Sequence, residues 1–140
     1  MQIIDRLFPN RVFKFSGPDK NFPKNSSPEY NSEYRSAENV GRVRFGKDCL
    51  YYRDLGKKYY CPYGYIDRAF NRISEVQPDD SPAYYYYRLI LVHGEKEFAN
   101  LIFDREEDVQ YILGRLKEIN PATELGYVPP KDGKPKARFS

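Results

Sequence analysis

The chain of 140 residues has no tryptophan, one methionine, one histidine and two cysteines. Each shortage removes a class of explanation. His93 is the only imidazole and stands beside Gly94, where a turn accounts for it; the sequence gathers no partners for general-base chemistry around it. Cys49 and Cys61 have no neighbouring Cys or His at metal-ligand spacing, so no metal site is expected. Nor do paired carboxylates, a phosphate loop or a nucleophile elbow occur. Asp79-Asp80 is a loop pair between Pro78 and Pro82. No catalytic residue and no cofactor is expected, which points away from an enzyme. Long apolar runs are missing too: nothing approaches a membrane span, and the start from Met1 to Pro9 holds too short an apolar run for a signal peptide. A cytoplasmic protein is the expectation. Charge of one sign is also scarce. The formal net charge is +3, and Lys131, Lys134, Lys136 and Arg138 against Asp132 place +3 in the last ten residues, so the remainder is near neutral. That balance disfavours nucleic acid as a partner.

Aromatic residues are plentiful instead, with 14 Tyr and 9 Phe, so the core must combine them with aliphatics. The most strand-like stretch is Tyr84-Tyr85-Tyr86-Tyr87-Arg88-Leu89-Ile90-Leu91-Val92. Exposed, it would aggregate; it needs cover on at least one face and neighbouring strands. Alternation puts Tyr85, Tyr87, Leu89 and Leu91 on one face and Tyr84, Tyr86, Arg88, Ile90 and Val92 on the other. Arg88 marks the second as the outer face, which is still too apolar for plain solvent.

Three segments are expected: an arm with an irregular Pro/Ser/Asn-rich stretch (1–39), a folded domain (40–121) and a Pro/Lys-rich tail (122–140). In the arm, Ile3, Ile4, Leu7 and Phe8 repeat at helical spacing, and Val12, Phe13 and Phe15 suit an extended segment. Pro18, Pro23 and Pro28 argue for a loop from Ser16 to Glu38, pinned locally by Tyr30 and Tyr34, the whole docking weakly. Arg42-Val43-Arg44-Phe45 reads as a strand and Cys49 to Arg53 as a second. A three-residue turn, Asp54-Leu55-Gly56, leads into Lys57 to Cys61, a register that sets Arg53 against Lys57, Tyr51 against Tyr59 and Cys49 against Cys61. Ile66, Ala69, Phe70 and Ile73 have helical spacing, yet the composition from Tyr65 to Val76 also permits a strand. His93 to Lys96 is a hairpin turn before a strand ending at Phe103. Asp104 with Glu107 forms a capping-box pattern opening a helix. Val109, Ile112, Leu113, Leu116 and Ile119 form its apolar stripe, and Asn120-Pro121 ends it.

Taken from Gly41 to Asn120, this succession resembles the pleckstrin-homology-like family and its GRAM-type relatives. The residues that carry the resemblance are Arg42 to Gly46, Leu50-Tyr51-Tyr52-Arg53, the step from Tyr60-Cys61-Pro62-Tyr63 to Ile66, and Asp104 to Ile119. The resemblance implies a mostly β (α+β) fold, a small bent antiparallel β-barrel with one C-terminal amphipathic helix, and makes Tyr65 to Val76 a turn followed by a strand. It also implies an anion-binding face at Arg42, Arg44, Lys47 and Arg53. The family's closely spaced basic pattern is replaced here by Cys49 to Tyr52.

The expected function is therefore a non-enzymatic binding or scaffolding module. Its partner would be a protein or a second copy, met through edge strands, the arm and an outer surface of Tyr84, Tyr86, Arg88 and Ile90. The alternative is an anionic ligand, an acidic lipid headgroup before single-stranded nucleic acid, on the Arg42, Arg44, Lys47 and Arg53 face.

Overall fold

The computed structural model describes residues 12–126, which form a mostly β structure of two sheets and two helices. The first sheet holds β1 (Phe15–Ser16), β2 (Glu38–Val40), β3 (Val43–Phe45), β4 (Cys49–Asp54) and β5 (Lys57–Pro62), in spatial order β1-β5-β4-β3-β2. The second holds β6 (Arg68–Val76), β7 (Tyr84–His93), β8 (Lys96–Phe103) and β9 (Glu124–Leu125), in order β8-β7-β6-β9. Helix α1 (Pro28–Ser36) precedes β2, and helix α2 (Glu106–Ile119) follows β8. No strand pairing joins the two sheets into a closed barrel among the described residues.

The irregular stretch expected from Ser16 to Glu38 contains α1, a correction with a local cause. Ser27 caps the helix by accepting from the Tyr30 amide at 3.2 Å, and Pro28 occupies the first turn, where its missing N–H costs nothing. Tertiary contacts complete it. Asn31, 4% exposed, exchanges two hydrogen bonds with the Phe13 backbone at 2.6 and 3.0 Å. Phe13, Phe15, Tyr34, Tyr51, Tyr60 and Cys49 then close an aromatic core between α1 and the first sheet. β1 runs parallel to β5, so Phe15 and Ser16 of the expected arm are part of the first sheet. Ile3, Ile4, Leu7 and Phe8, like the tail beyond Gly126, lie outside the described residues.

The β4–β5 register is also corrected. The turn is two residues long, Leu55 and Gly56, both left-handed at φ 50° and 79°, so its hand matches the twist of the flanking strands. Asp54 thus faces Lys57, Arg53 faces Lys58, Tyr51 faces Tyr60, and Cys49 faces Pro62 while Cys61 faces Leu50. A one-residue slip reverses every side chain. Cys49 consequently lies in the α1-side core and Cys61 in the main one, so the thiols are not cross-strand neighbours.

From Tyr63 the chain makes one 3-10 turn to Tyr65 and then enters β6, overruling the helical spacing of Ile66, Ala69, Phe70 and Ile73. Apolar residues occupy both faces of β6: Ala69 enters the main core and Phe70 joins Ile90 and Val92 on the opposite side. Two buried faces in one strand erase its alternation. Along β7, Leu89 and Leu91 pack with Val109, Ile112, Leu113 and Leu116 of α2, as the stripe implied. The capping box at Asp104 does not form; Arg105 is the N-cap residue and makes no side-chain cap bond. No helix among the described residues is long and apolar enough to cross a membrane.

Candidate functional site

Strand alternation decides which candidate cations meet. Val43, Phe45, Leu50 and Tyr52 turn into the main core, so Arg44, Tyr51 and Arg53 turn toward α1. Arg42 lies two residues before Arg44, and its carbonyl accepts from the Arg53 amide at 2.9 Å, which sets the two arginines across from each other. Arg44 Nη1 donates to the Tyr34 carbonyl at 2.7 Å, its guanidinium lies 4.2 Å from the centre of the Tyr34 ring, and its buried Nε has no partner. Lys47 falls outside this group. It sits in the turn at the far end of β3, where its backbone N–H donates to Glu33 Oε2 at 3.0 Å, so the expected four-residue face reduces to Arg42, Arg44 and Arg53.

Two further cations border the same face. Lys58, cross-strand from Arg53, has Nζ 4.5 Å from the centre of the Phe13 ring, and the Arg35 guanidinium lies 5.0 Å from that ring. Aromatic faces attract cations, which explains the assembly at the edge of the α1-side core. No described carboxylate is within ion-pair distance of Arg42, Arg44 or Arg53.

The second predicted surface is partly dismantled. Ile90 is 0% exposed, clustered with Phe70 and Val92, and cannot serve as a contact residue. Arg88 is half-buried opposite Arg72, and Arg72 binds Glu97 through both terminal nitrogens at 3.1 and 2.6 Å while lying over the Phe70 ring. Tyr84 remains open at 45%, edge-on to Tyr86 with ring centres 5.4 Å apart, and Tyr85 on the other face is 47% exposed. The cause is strand length. β8 pairs with β7 only from Tyr87 onward, so Tyr84–Tyr86 and Ser74–Val76 continue as a two-stranded ribbon. Its connecting loop presents Asp79 and Asp80, both exposed.

A third cluster was not anticipated. His93 stacks on Tyr65, ring centres 3.8 Å apart, and its Nδ1 meets the Tyr65 carbonyl at 2.8 Å and Asp67 Oδ2 at 3.2 Å. Tyr65 Oη donates to Asp19 Oδ2 at 2.5 Å. Burial and that bond push the phenol up to about 12, and the same bond holds the Asp19 carboxyl below its ordinary range. Asp67 also accepts from the Gly94 amide at 2.6 Å, which fixes the β7–β8 turn. A cavity of about 290 Å³ lies beside these groups, bounded by Gly64, Asp67, Arg68, Asn120 and Glu124. Its polar groups are spent on each other: Arg68 pairs with Glu124, and Asn120 donates to the Tyr63 carbonyl. The arrangement holds loops together and presents no nucleophile with a base.

Burial pushes the Cys49 thiol up to about 11 and raises Cys61 as well, which leaves both as unreactive thiols at neutral pH. Among the described residues no three or more His, Cys, Asp or Glu side chains are placed to hold a metal ion. Comparison with protein-family models, curated proteins and solved structures gives no match in any of the three.

Proposed function

We propose that this chain is a binding module whose partner is a protein, engaged through the end of the β6–β7 ribbon. One observation carries the reading: the ribbon runs past β8 and holds Tyr84 and Tyr85 nearly half exposed on opposite faces. Tyrosine offers large contact area at low conformational cost together with a polar tip, which suits an interface better than bulk solvent. The order of elements supports a pleckstrin-homology-like reading of the fold. β2 to β5 form an antiparallel meander, β6 to β8 a second, and α2 follows with its stripe against the core. The test is site-specific photocrosslinking in the native cell with a photoreactive phenylalanine analogue at position 85. Protein adducts are expected there and not with the analogue at Asp48, exposed in the turn between β3 and β4. Equal labelling at both positions, or none at 85, removes the reading.

The arginine face favours a second reading, an acidic lipid headgroup held by Arg42, Arg44 and Arg53. Three guanidinium groups without described carboxylate partners attract anions, and the attraction weakens with salt. Co-sedimentation with phosphatidylserine vesicles at low ionic strength tests it. No binding under those conditions ends this reading.

A further inference from the structure

The two surfaces are opposite in sign, and neither has an ion-pair partner among the described residues. Asp79 and Asp80 stand exposed at the tip of the ribbon, with no described cation at ion-pair distance. Arg42, Arg44 and Arg53 form a face with no described carboxylate at that distance, and Arg44 keeps a buried Nε without a hydrogen-bond partner. The tip is well supported: the β6–β7 ladder is continuous from Arg68 opposite Val92 to Val76 opposite Tyr84, and Gln77 Nε2 bonds the Ser81 carbonyl across the loop. Pro78 and Pro82 flank the two aspartates and restrict the backbone further.

We propose that the ribbon's partner is a second copy of this chain: the Asp79–Asp80 tip of one molecule docks on the Arg42, Arg44 and Arg53 face of the next. This rests on the reading of the ribbon as a protein-binding surface and names its partner. Guanidinium groups hold carboxylates through paired N–H donors and stack on aromatic rings, so the exposed tyrosine on whichever side of the ribbon meets the sheet can lie over the same arginines that receive the aspartates. Each chain carries one tip and one face on different patches. Such a contact is heterologous, and it builds chains or rings instead of a closed two-fold dimer. Exposed charges drive it, so it weakens as salt rises.

Sedimentation velocity of the full chain tests the proposal, with two variants: Asp79→Asn with Asp80→Asn, and Arg42→Gln with Arg53→Gln. The native chain is expected to form species larger than two chains at low ionic strength and to revert to monomer at about 0.5 M salt, where the screening length falls below about 5 Å. Each variant alone should lose association. An equimolar mixture of the two should recover a species of two chains and nothing larger, because each variant keeps one working surface. Asp79→Lys with Asp80→Lys, altered only at exposed loop positions, should also remain monomeric and keeps the test independent of the folding of the arginine variant. A native chain that is monomeric at low salt, a mixture that stays monomeric, or a variant that still associates overturns the proposal. So does vesicle binding through the arginines without self-association. Photoadducts from position 85 to a different protein, with no self-adduct, sink the self-partner while leaving the protein-binding reading in place.

Discussion

Replacing Phe15 by alanine asks whether the residues before Val40 are an accessory arm or part of the folding unit. Phe15 is 0% exposed, and its ring centre lies 5.1 Å from that of Tyr51, 5.2 Å from Tyr34, and 6.4 Å from both Phe13 and Tyr30. Two of those partners belong to α1 and one to β4, so the ring joins helix, sheet and N-terminal segment. Full burial of such a side chain contributes about 1.5–3 kcal/mol from transfer alone. The cavity left by truncation raises the loss to about 3–5 kcal/mol, because a ring seated among other rings cannot be filled by small shifts. Against a total stability of about 5–15 kcal/mol this is a large fraction. Urea unfolding followed by tyrosine fluorescence should show a midpoint lowered by about 1.5–2.5 M, taking a slope of about 2 kcal/mol per M. One cooperative transition is expected before and after the change. A loss below about 1 kcal/mol, or an early transition confined to residues before Val40 with the rest unchanged, would refute the placement of this segment in the core.

Two smaller perturbations follow. Leu55 is 93% exposed at φ 50°, a left-handed conformation that favours asparagine over leucine. Leu55→Asn, giving Asn-Gly at the turn, should therefore stabilise the fold by about 0.5–1 kcal/mol, measured by thermal unfolding; destabilisation would contradict the two-residue turn. The Asp19 carboxyl is held low chiefly by the Tyr65 hydroxyl, then by the Asn21 amide. A depressed folded value means that its contribution to stability is present above the unfolded value near 3.8 and is lost as pH falls through the folded one. Carbon-13 NMR should find the Asp19 midpoint below 3.8 in the native chain and higher in Tyr65→Phe, and an unchanged midpoint in that variant would remove the Tyr65 bond as its cause.

What could be read in advance followed from local rules that the rest of the molecule does not override. The stripe Val109, Ile112, Leu113 and Leu116 lies on one side of α2 because one side alone is covered, so helical periodicity survives in the sequence. Leu89 and Leu91 on the inner face of β7 follow from the two-residue period for the same reason. Where both sides of an element are covered, the pattern vanishes: Ala69 and Phe70 serve different cores, and the residual spacing imitates a helix. Ile90 was misplaced on an open surface because the sequence cannot tell an outer face that is covered from one that is not. The thiols were paired wrongly by one residue of turn, since Leu gives no sign that it will take a left-handed conformation. Helix α1 carried a readable start in Ser27-Pro28, but its tyrosines count as apolar only once the first sheet is in place to receive them. Of the candidate site, the family resemblance grouped Arg42, Arg44 and Arg53 with Lys47, and strand alternation accounts for the three that share a face. Arg35 was not legible, because its position depends on where Phe13 lies.

The location of the arginine face follows from the same geometry that builds the α1-side core. β4 uses both of its faces: Leu50 and Tyr52 enter the main core, while Cys49 and Tyr51 lie under α1. Continue along the second set and the next residue is Arg53, two places past Tyr51, where the aromatic cover ends. On β3 the corresponding residue, Arg44, lies with its guanidinium on Tyr34 of α1, and Arg42, two places before it, stands across from Arg53. Cations thus begin where the aromatic rings stop, on strands whose opposite side is packed solid by Val43, Phe45, Leu50 and Tyr52. A ligand group arriving there meets side chains on a backbone that cannot yield without disturbing the main core, and little ordering remains to be done on binding. The β6–β7 ribbon projects instead: on the Tyr84 side of Tyr87 it is two strands with solvent-exposed rings and an acidic tip. A contact between them would set a preorganised receptor against a projecting tip that Pro78, Pro82 and the Gln77–Ser81 bond already restrain, so the ordering cost on both sides is small. Loosening the tip with Pro78→Ala and Pro82→Ala should therefore weaken self-association in sedimentation velocity, and unchanged association would contradict a preorganised tip.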